Sequence, residues 1–299
     1  MITSKTPPEL PFSGERFTPE CVREMAYEHW HRYCLASTVV GGRRVLDAAC
    51  GEGYGSALLA GYAKSVDGVD LSDQAVAHAR SKYIGDNLRF LSASVTNIPV
   101  VDASYDAVVS FETLEHLAQQ TEMLTEFRRV LDSTGFLMIS SPDKATYSDA
   151  AGYTNEFHVK ELYRDELMVL LKQHFPAVKL MGQAMAFQSL LWDLDSNGQE
   201  AMANHQSLRL DNTDLKVGPT PDLEPLYFVA LCAAKQEYLP TLPAISSFAD
   251  GEQSVYAHYQ HEIRKNMAAG GLLKERDEEI HRLKAELAQQ QATREDDGI

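Results

Sequence analysis

Residues 45–56 read VLDAACGEGYGS: an apolar pair, an Asp, then glycines at 51, 53 and 55. A glycine-rich turn after a buried strand lets backbone approach a ligand closely and opens a helix whose first N–H groups are free, so a nucleotide site is expected. The next segment, VDGVDLSD, ends in Asp70, 19 residues after Gly51. A carboxylate there can accept both ribose hydroxyls, and turn plus acid at that spacing is a stronger signal than either alone. A dinucleotide turn needs G-x-G-x-x-G, and the third glycine is missing, since Ser56 stands where the template needs it. That disfavours a nicotinamide oxidoreductase. Asp47 at the strand end would repel a pyrophosphate and suits a ligand with a positive charge or an amino group.

Working outward, short apolar runs alternate with helical patterns. Strands are predicted over 43–49, 65–71, 88–94, 105–111, 135–141, 177–184 and 226–234, with helices after the first strand, over SDQAVAHARSKY, near 119–131, and over HVKELYRDELMVLLKQHF. Ser72 is placed to cap the second of these helices. Strands of this kind separated by helices form a parallel sheet covered on both faces, and right-handed crossovers make it doubly wound α/β. Four segments follow: an N-terminal helical cap (1–40), a main domain (41–235) with a turn-rich insertion (185–225) read as loops and short helix over the acceptor pocket, a linker or helical segment (236–270), and a C-terminal helix (271–299). Leu273, Ile280 and Leu287 recur at seven with Leu283 between, so this last helix is either a short coiled coil or a solvated single helix, and its end, TREDDGI, is expected to fray.

The bulk numbers narrow the partners. Lys and Arg number 27 against 43 Asp and Glu, a formal charge of −16 over 299 residues, which disfavours phosphate backbones and anionic membranes. Four cysteines at 21, 34, 50 and 232 form no disulfide framework or zinc spacing, and neither a signal peptide nor a membrane span is seen. A cytoplasmic protein is expected. No His or Cys cluster has metal-ligand spacing along the chain, so metal-independent catalysis is expected.

VLDAACGEGYG followed by VDGVDLS resembles the first two motifs of class I S-adenosylmethionine-dependent methyltransferases. LSASVTNIPVVDASYDAVVSFETLEHL resembles that family's third and fourth strands, and RRVLDSTGFLMISSPD its fifth. The resemblance covers roughly residues 40–182 and implies a seven-stranded Rossmann-like sheet with S-adenosylmethionine as cofactor. It implies that Asp47, Gly51 and Gly53 lie against the methionine part, with Asp70 on the ribose and Leu71 beside it. Ser94 and Val95 would flank the adenine, and Phe111 would line the pocket. Ala49 replaces a common glycine, and Ser94 an Asp that often contacts the adenine amino group. More narrowly, GERFTPE, YEHWHRY and NEFHVKEL resemble bacterial methyltransferases associated with surface glycan synthesis.

Methyl transfer to a hydroxyl gains from a nearby base. His116, after the fourth strand, and His158, after the fifth, fall at the carboxyl edge of the sheet. His116 is a base or a packing residue of its junction; His158 is a base or a helix cap. In YEHWHRYCLA, Tyr27, Trp30 and His31 share one helical face and His29 and Tyr33 another, so this segment either closes over the cofactor or packs on the sheet edge. The leading expectation is O-methylation of a sugar or glycan hydroxyl. Its alternatives are a small metabolite or quinone-like acceptor, and a non-catalytic interaction protein. The C-terminal helix is a candidate contact for a second copy or a glycosyltransferase.

Overall fold

A computed structural model describes residues 18, 24–191, 206–211 and 214–296. Most of GERFTPE, and most of the turn-rich DLDSNGQEAMANHQ, lie outside the described residues, as do the last three residues of TREDDGI. The chain divides into two compact units, residues 1–248 and 249–299.

The first unit is built on β1 (Arg44–Ala48), β2 (Ser65–Asp70), β3 (Leu88–Ser92), β4 (Tyr105–Ser110), β5 (Leu131–Pro142), β6 (Ala177–Gln183) and, after a hairpin of β7 (Ser207–Asp211) and β8 (Asp214–Gly218), β9 (Tyr227–Ala233). The seven-stranded sheet runs β3-β2-β1-β4-β5-β9-β6 and is parallel except for β9, which is antiparallel to both neighbours. The expected seven strands and doubly wound architecture are therefore present. The 185–225 insertion carries a two-stranded hairpin where loops and short helix were expected.

Alternation along the strands feeds two cores. Leu46, Val108, Leu137 and Ile139 face one side, with Met123, Leu124, Phe127 and Val130 of α4 (Gln120–Val130) and Leu167 and Leu171 of α5 (Arg164–His174). Val45, Ala107, Val109, Phe136 and Met138 face the other, with Tyr33 and Ala36 of α1 (Glu24–Ser37) and Leu59 of α2 (Tyr54–Ala60). Each fully buried Val, Leu, Ile, Phe or Met among these contributes about 1.5–3 kcal/mol. α3 (Asp73–Lys82) starts as predicted, with the Ser72 hydroxyl accepting from the Ala75 N–H at 3.2 Å. α5 starts later than the periodicity predicts, because the Val159 and Lys160 N–H groups donate to the Glu115 carbonyl instead of to a helical turn.

The strand order reverses about β1, between β2 and β4, which places the crevice of the sheet at the glycine turn. Gly51 has φ 56° and Gly53 φ 94°, the left-handed backbone a glycine tolerates. The turn is braced from below. Glu52 is buried and accepts from His78 Nε2 (2.9 Å), Lys82 Nζ (2.7 Å) and Tyr83 Oη (2.7 Å), tying the turn to α3 and the residue after it. Asp47, 1% exposed, accepts from the Tyr33 hydroxyl (3.0 Å) and the Ser56 hydroxyl (2.6 Å), which joins α1 and α2 to β1. Burial pushes the Asp47 carboxyl up from 3.8 to about 6, with the two hydroxyls opposing the shift.

In the second unit, α6 (Ser254–Asp296) is one helix of 43 residues that begins well before residue 271. Its surface carries ion pairs Glu279–Arg282 at 2.7 Å and Arg282–Glu286 at 3.7 Å. Leu273, Ile280, Leu283 and Leu287 are all exposed.

Two predictions follow from the bracing. A Cβ at Gly55 would run into the Tyr33 ring, so Gly55→Ala is expected to destabilise the unit by about 1–3 kcal/mol in urea unfolding; an unchanged midpoint would contradict this contact. For Asp47 the folded pKa lies above the unfolded one, so its stabilising contribution is complete below pH 4 and lost as pH rises to about 6. Replacement by Asn removes that loss, and the stability difference between Asp47→Asn and the parent should shift in the variant's favour by on the order of 2 kcal/mol from pH 4 to 7. A difference flat over this range would show that Asp47 titrates normally.

Candidate functional site

At the carboxyl edge a cavity of about 290 Å³ is lined by residues from six regions. Ala49, Cys50, Gly51 and Tyr54 come from the glycine turn and α2, Asp70 from the end of β2, and Phe111, Glu112, Glu115 and His116 from the segment after β4. Tyr147 and His158 follow β5, and Tyr227 opens β9; Met25, His29 and Tyr33 of α1 close the remaining side.

Asp70 holds the floor. Its Oδ2 accepts from the Gly51 N–H at 2.9 Å and its Oδ1 from the Ser72 N–H at 2.8 Å, leaving further lone pairs on both oxygens. Met25, His29 and Tyr33 are spaced four apart on α1 and so present one face to the cavity. The His29 and Tyr33 pair is thus the cavity face of α1. His31 instead stacks on Phe248 and bonds Ser246, while Tyr27 meets Phe248 edge-on. His29 Nδ1 lies 3.0 Å from the Tyr54 hydroxyl, and desolvation keeps this imidazole well below its ordinary pKa, hence neutral.

Glu112 sits in the left-handed region at φ 49°, an uncommon and costly conformation for a side chain of its kind. Its N–H donates to Ser140 Oγ at 3.0 Å, and that hydroxyl donates back to Glu112 Oε1 at 2.6 Å. The buried Arg32 guanidinium lies 3.5 Å from the same oxygen, donates to Gln183 and stands over the Tyr227 ring. Beside it, burial raises the Glu28 carboxyl to about 7 against the opposing charge of Arg32.

His116 and His158, read from the sequence as base candidates, meet with ring centroids 5.0 Å apart. Tyr147 stacks on His158 at 5.3 Å and sits in a π-helical turn, Ala145–Asp149. Of the expected cofactor residues, Gly51, Asp70 and Phe111 line the cavity. Asp47 and Gly53 do not: the Asp47 carboxylate is sequestered beneath the turn by Tyr33 and Ser56, and Gly53 packs over Ala79 and Phe90. Leu71 is 75% exposed, Ser94 bonds Thr96, and Val95 belongs to a core cluster, so none of the three is in the lining. None of the described residues of 185–225 lines it either. Glu112, Tyr147 and Tyr227 were missed; the positive φ of Glu112 has no sequence signal, and the other two arrive by long-range strand pairing.

The lining contains Asp70, Glu112 and Glu115 and no Lys or Arg. Such a wall suits a cation, and the left-handed Gly51 brings bare backbone to it, so the residues fit a cofactor carrying a sulfonium and a ribose.

Residues 46–139 match a family model described as a methyltransferase domain. A probable S-adenosylmethionine-dependent methyltransferase of Mycobacterium tuberculosis is 38% identical over 172 residues, covering 56% of this chain and 62% of the relative. A similarly named protein of Mycolicibacterium smegmatis is 37% identical over 169 residues, covering 56% and 65%. An O-methyltransferase of Penicillium expansum is 31% identical over 144 residues, covering 44% and 51%. The chain thus spans less than two thirds of the length of each of these relatives. Residues 46–139, which carry the glycine turn and Asp70, are thus the part of the chain similar to a methyltransferase domain.

Proposed function

We propose that the chain is an S-adenosylmethionine-dependent O-methyltransferase whose acceptor is a sugar or glycan-linked hydroxyl. The observation that carries the reading is one cavity in which Gly51, Asp70 and Phe111 share a space with His116, His158 and Tyr147. The cofactor would lie on the Gly51 and Asp70 side, its ribose on the Asp70 carboxylate. Bound there, it supplies an electrophilic methyl carbon and a thioether leaving group.

The protein's own task is then to place the acceptor oxygen in line, exclude water and dispose of the hydroxyl proton. The polar wall of imidazoles and tyrosine hydroxyls favours an acceptor rich in hydroxyls over an apolar ring. YEHWHRY and NEFHVKEL, which supply His29, Tyr33 and His158 to this wall, are two of the segments that resemble glycan-associated methyltransferases. Their place in the wall supports the sugar reading over a quinone-like one.

Calorimetry with S-adenosylhomocysteine tests the cofactor half. The parent should bind it, and Asp70→Ala should weaken binding about 10- to 100-fold, the loss of one or two charge-assisted hydrogen bonds. Unchanged affinity would remove Asp70 from the ribose. The acceptor half is tested with methyl-labelled cofactor offered to a panel of sugar nucleotides and glycosides beside reduced quinones. Label is expected in a sugar methyl ether; label confined to a quinol would replace the acceptor class proposed.

A further inference from the structure

Glu115, His116 and His158 bring one ligand atom each to within 4.8 Å of one another at the cavity wall. Ligands held about 2.1 Å from a common ion lie within about 4 Å of each other, so a small side-chain adjustment closes this triangle on a cation. Two segments far apart in sequence supply the set, and the backbone locks them together. The Glu115 carbonyl accepts from the Val159 (2.8 Å) and Lys160 (2.9 Å) N–H groups, and Gln120 Nε2 bonds the Leu114 and Lys160 carbonyls, both at 2.9 Å.

Each imidazole is also braced at its Nδ1. His116 Nδ1 lies 3.0 Å from the Phe157 carbonyl, a contact that requires the proton on Nδ1 and leaves a lone pair on Nε2. His158 Nδ1 lies 2.6 Å from Glu161 Oε1, and the other Glu161 oxygen accepts from Ser148. The Asn155 amide donates to His158 Nε2 at 3.1 Å; its orientation is set by Asn155 Oδ1, which accepts the Phe157 N–H at 3.0 Å. Nε2 of His158 is therefore also a lone-pair nitrogen, and a cation would replace that amide contact. A carbonyl on one histidine and a carboxylate on the other are the outer partners that fix metal-bound imidazoles.

We propose that Glu115, His116 and His158 form a divalent metal site, two imidazole nitrogens and one carboxylate oxygen with coordination positions open toward the cavity. The donor set suits a first-row transition ion such as Mn²⁺, Co²⁺ or Zn²⁺ better than Ca²⁺. This replaces the metal-independent chemistry expected from spacing along the chain, and it deepens the methyltransferase reading, on which its catalytic part rests. An acceptor hydroxyl bound at the open position loses its proton to solvent water at lower cost, because the cation stabilises the oxygen that remains. That oxygen forms the new C–O bond as the C–S bond breaks, and the bonding pair leaves on sulfur. Open positions of this kind favour an acceptor with two neighbouring hydroxyls.

The test uses full-length, tag-free protein stripped with a chelator and titrated with Co²⁺, read by its visible absorption and by calorimetry. One equivalent is expected, with a ligand-field band that His116→Gln and His158→Gln each abolish or weaken at least 10-fold. Both variants should still bind S-adenosylhomocysteine, which keeps a failure of the metal site distinct from failure of the cofactor reading. Glu161→Gln, a change behind His158, should weaken Co²⁺ about 10- to 100-fold. Absence of stoichiometric binding by the parent, or equal binding by a His116→Gln/His158→Gln double variant that retains S-adenosylhomocysteine affinity, would overturn the proposal.

Discussion

The Asp70 carboxylate holds the first two connections of the sheet together. One oxygen takes the N–H of Gly51 and the other that of Ser72, so the turn after β1 and the entry to α3 are fixed to the end of β2 by a single side chain. Charge-assisted hydrogen bonds of this kind are about twice as strong as neutral ones, and here they are made at the rim of the cavity. The group that shapes the turn also lines the cavity. Glu52 and Asp47 support the same turn from beneath, each buried and each satisfied, so little of its shape depends on what occupies the cavity.

Rigidity on the glycine-turn side of the cavity contrasts with conformational cost on the other. Glu112 is held at positive φ by a reciprocal pair of hydrogen bonds with Ser140, and Arg32 is buried between it and Tyr227. An arrangement that stores strain and buries charge at a cavity wall is more costly than a packed apolar one, and such costs concentrate where a site needs a group in a fixed place.

The parallel half of the fold was legible because its signals are local. Apolar runs of strand length, Ser72 before a helical pattern and glycines after VLDAAC each act within a few residues of the feature they specify. The place of Asp70 in the cavity lining could be read for the same reason, by its distance from the turn. Asp47 was read as acidic and ligand-facing, but the direction of a side chain at a strand end depends on what packs over it, and Tyr33 comes from a helix before the sheet begins. The convergence of Glu115 and His116 with His158 was beyond any spacing rule, since it is made by backbone hydrogen bonds between two loops. The start of α5 was misplaced for that reason too: its first expected turn is used in the same contact.

The reversed direction of β9 has a consequence for how this scaffold can vary. Because β9 runs against β5 and β6, its beginning, not its end, meets the rim: Tyr227 pairs with Pro142 and with Gln183. The chain between Gln183 and Tyr227 therefore enters and leaves at the same rim, at a place where lengthening it disturbs no parallel strand and no part of the glycine turn. The sheet thus has one half whose connections are fixed by the glycine turn and Asp70, and another whose last connection can lengthen without altering either.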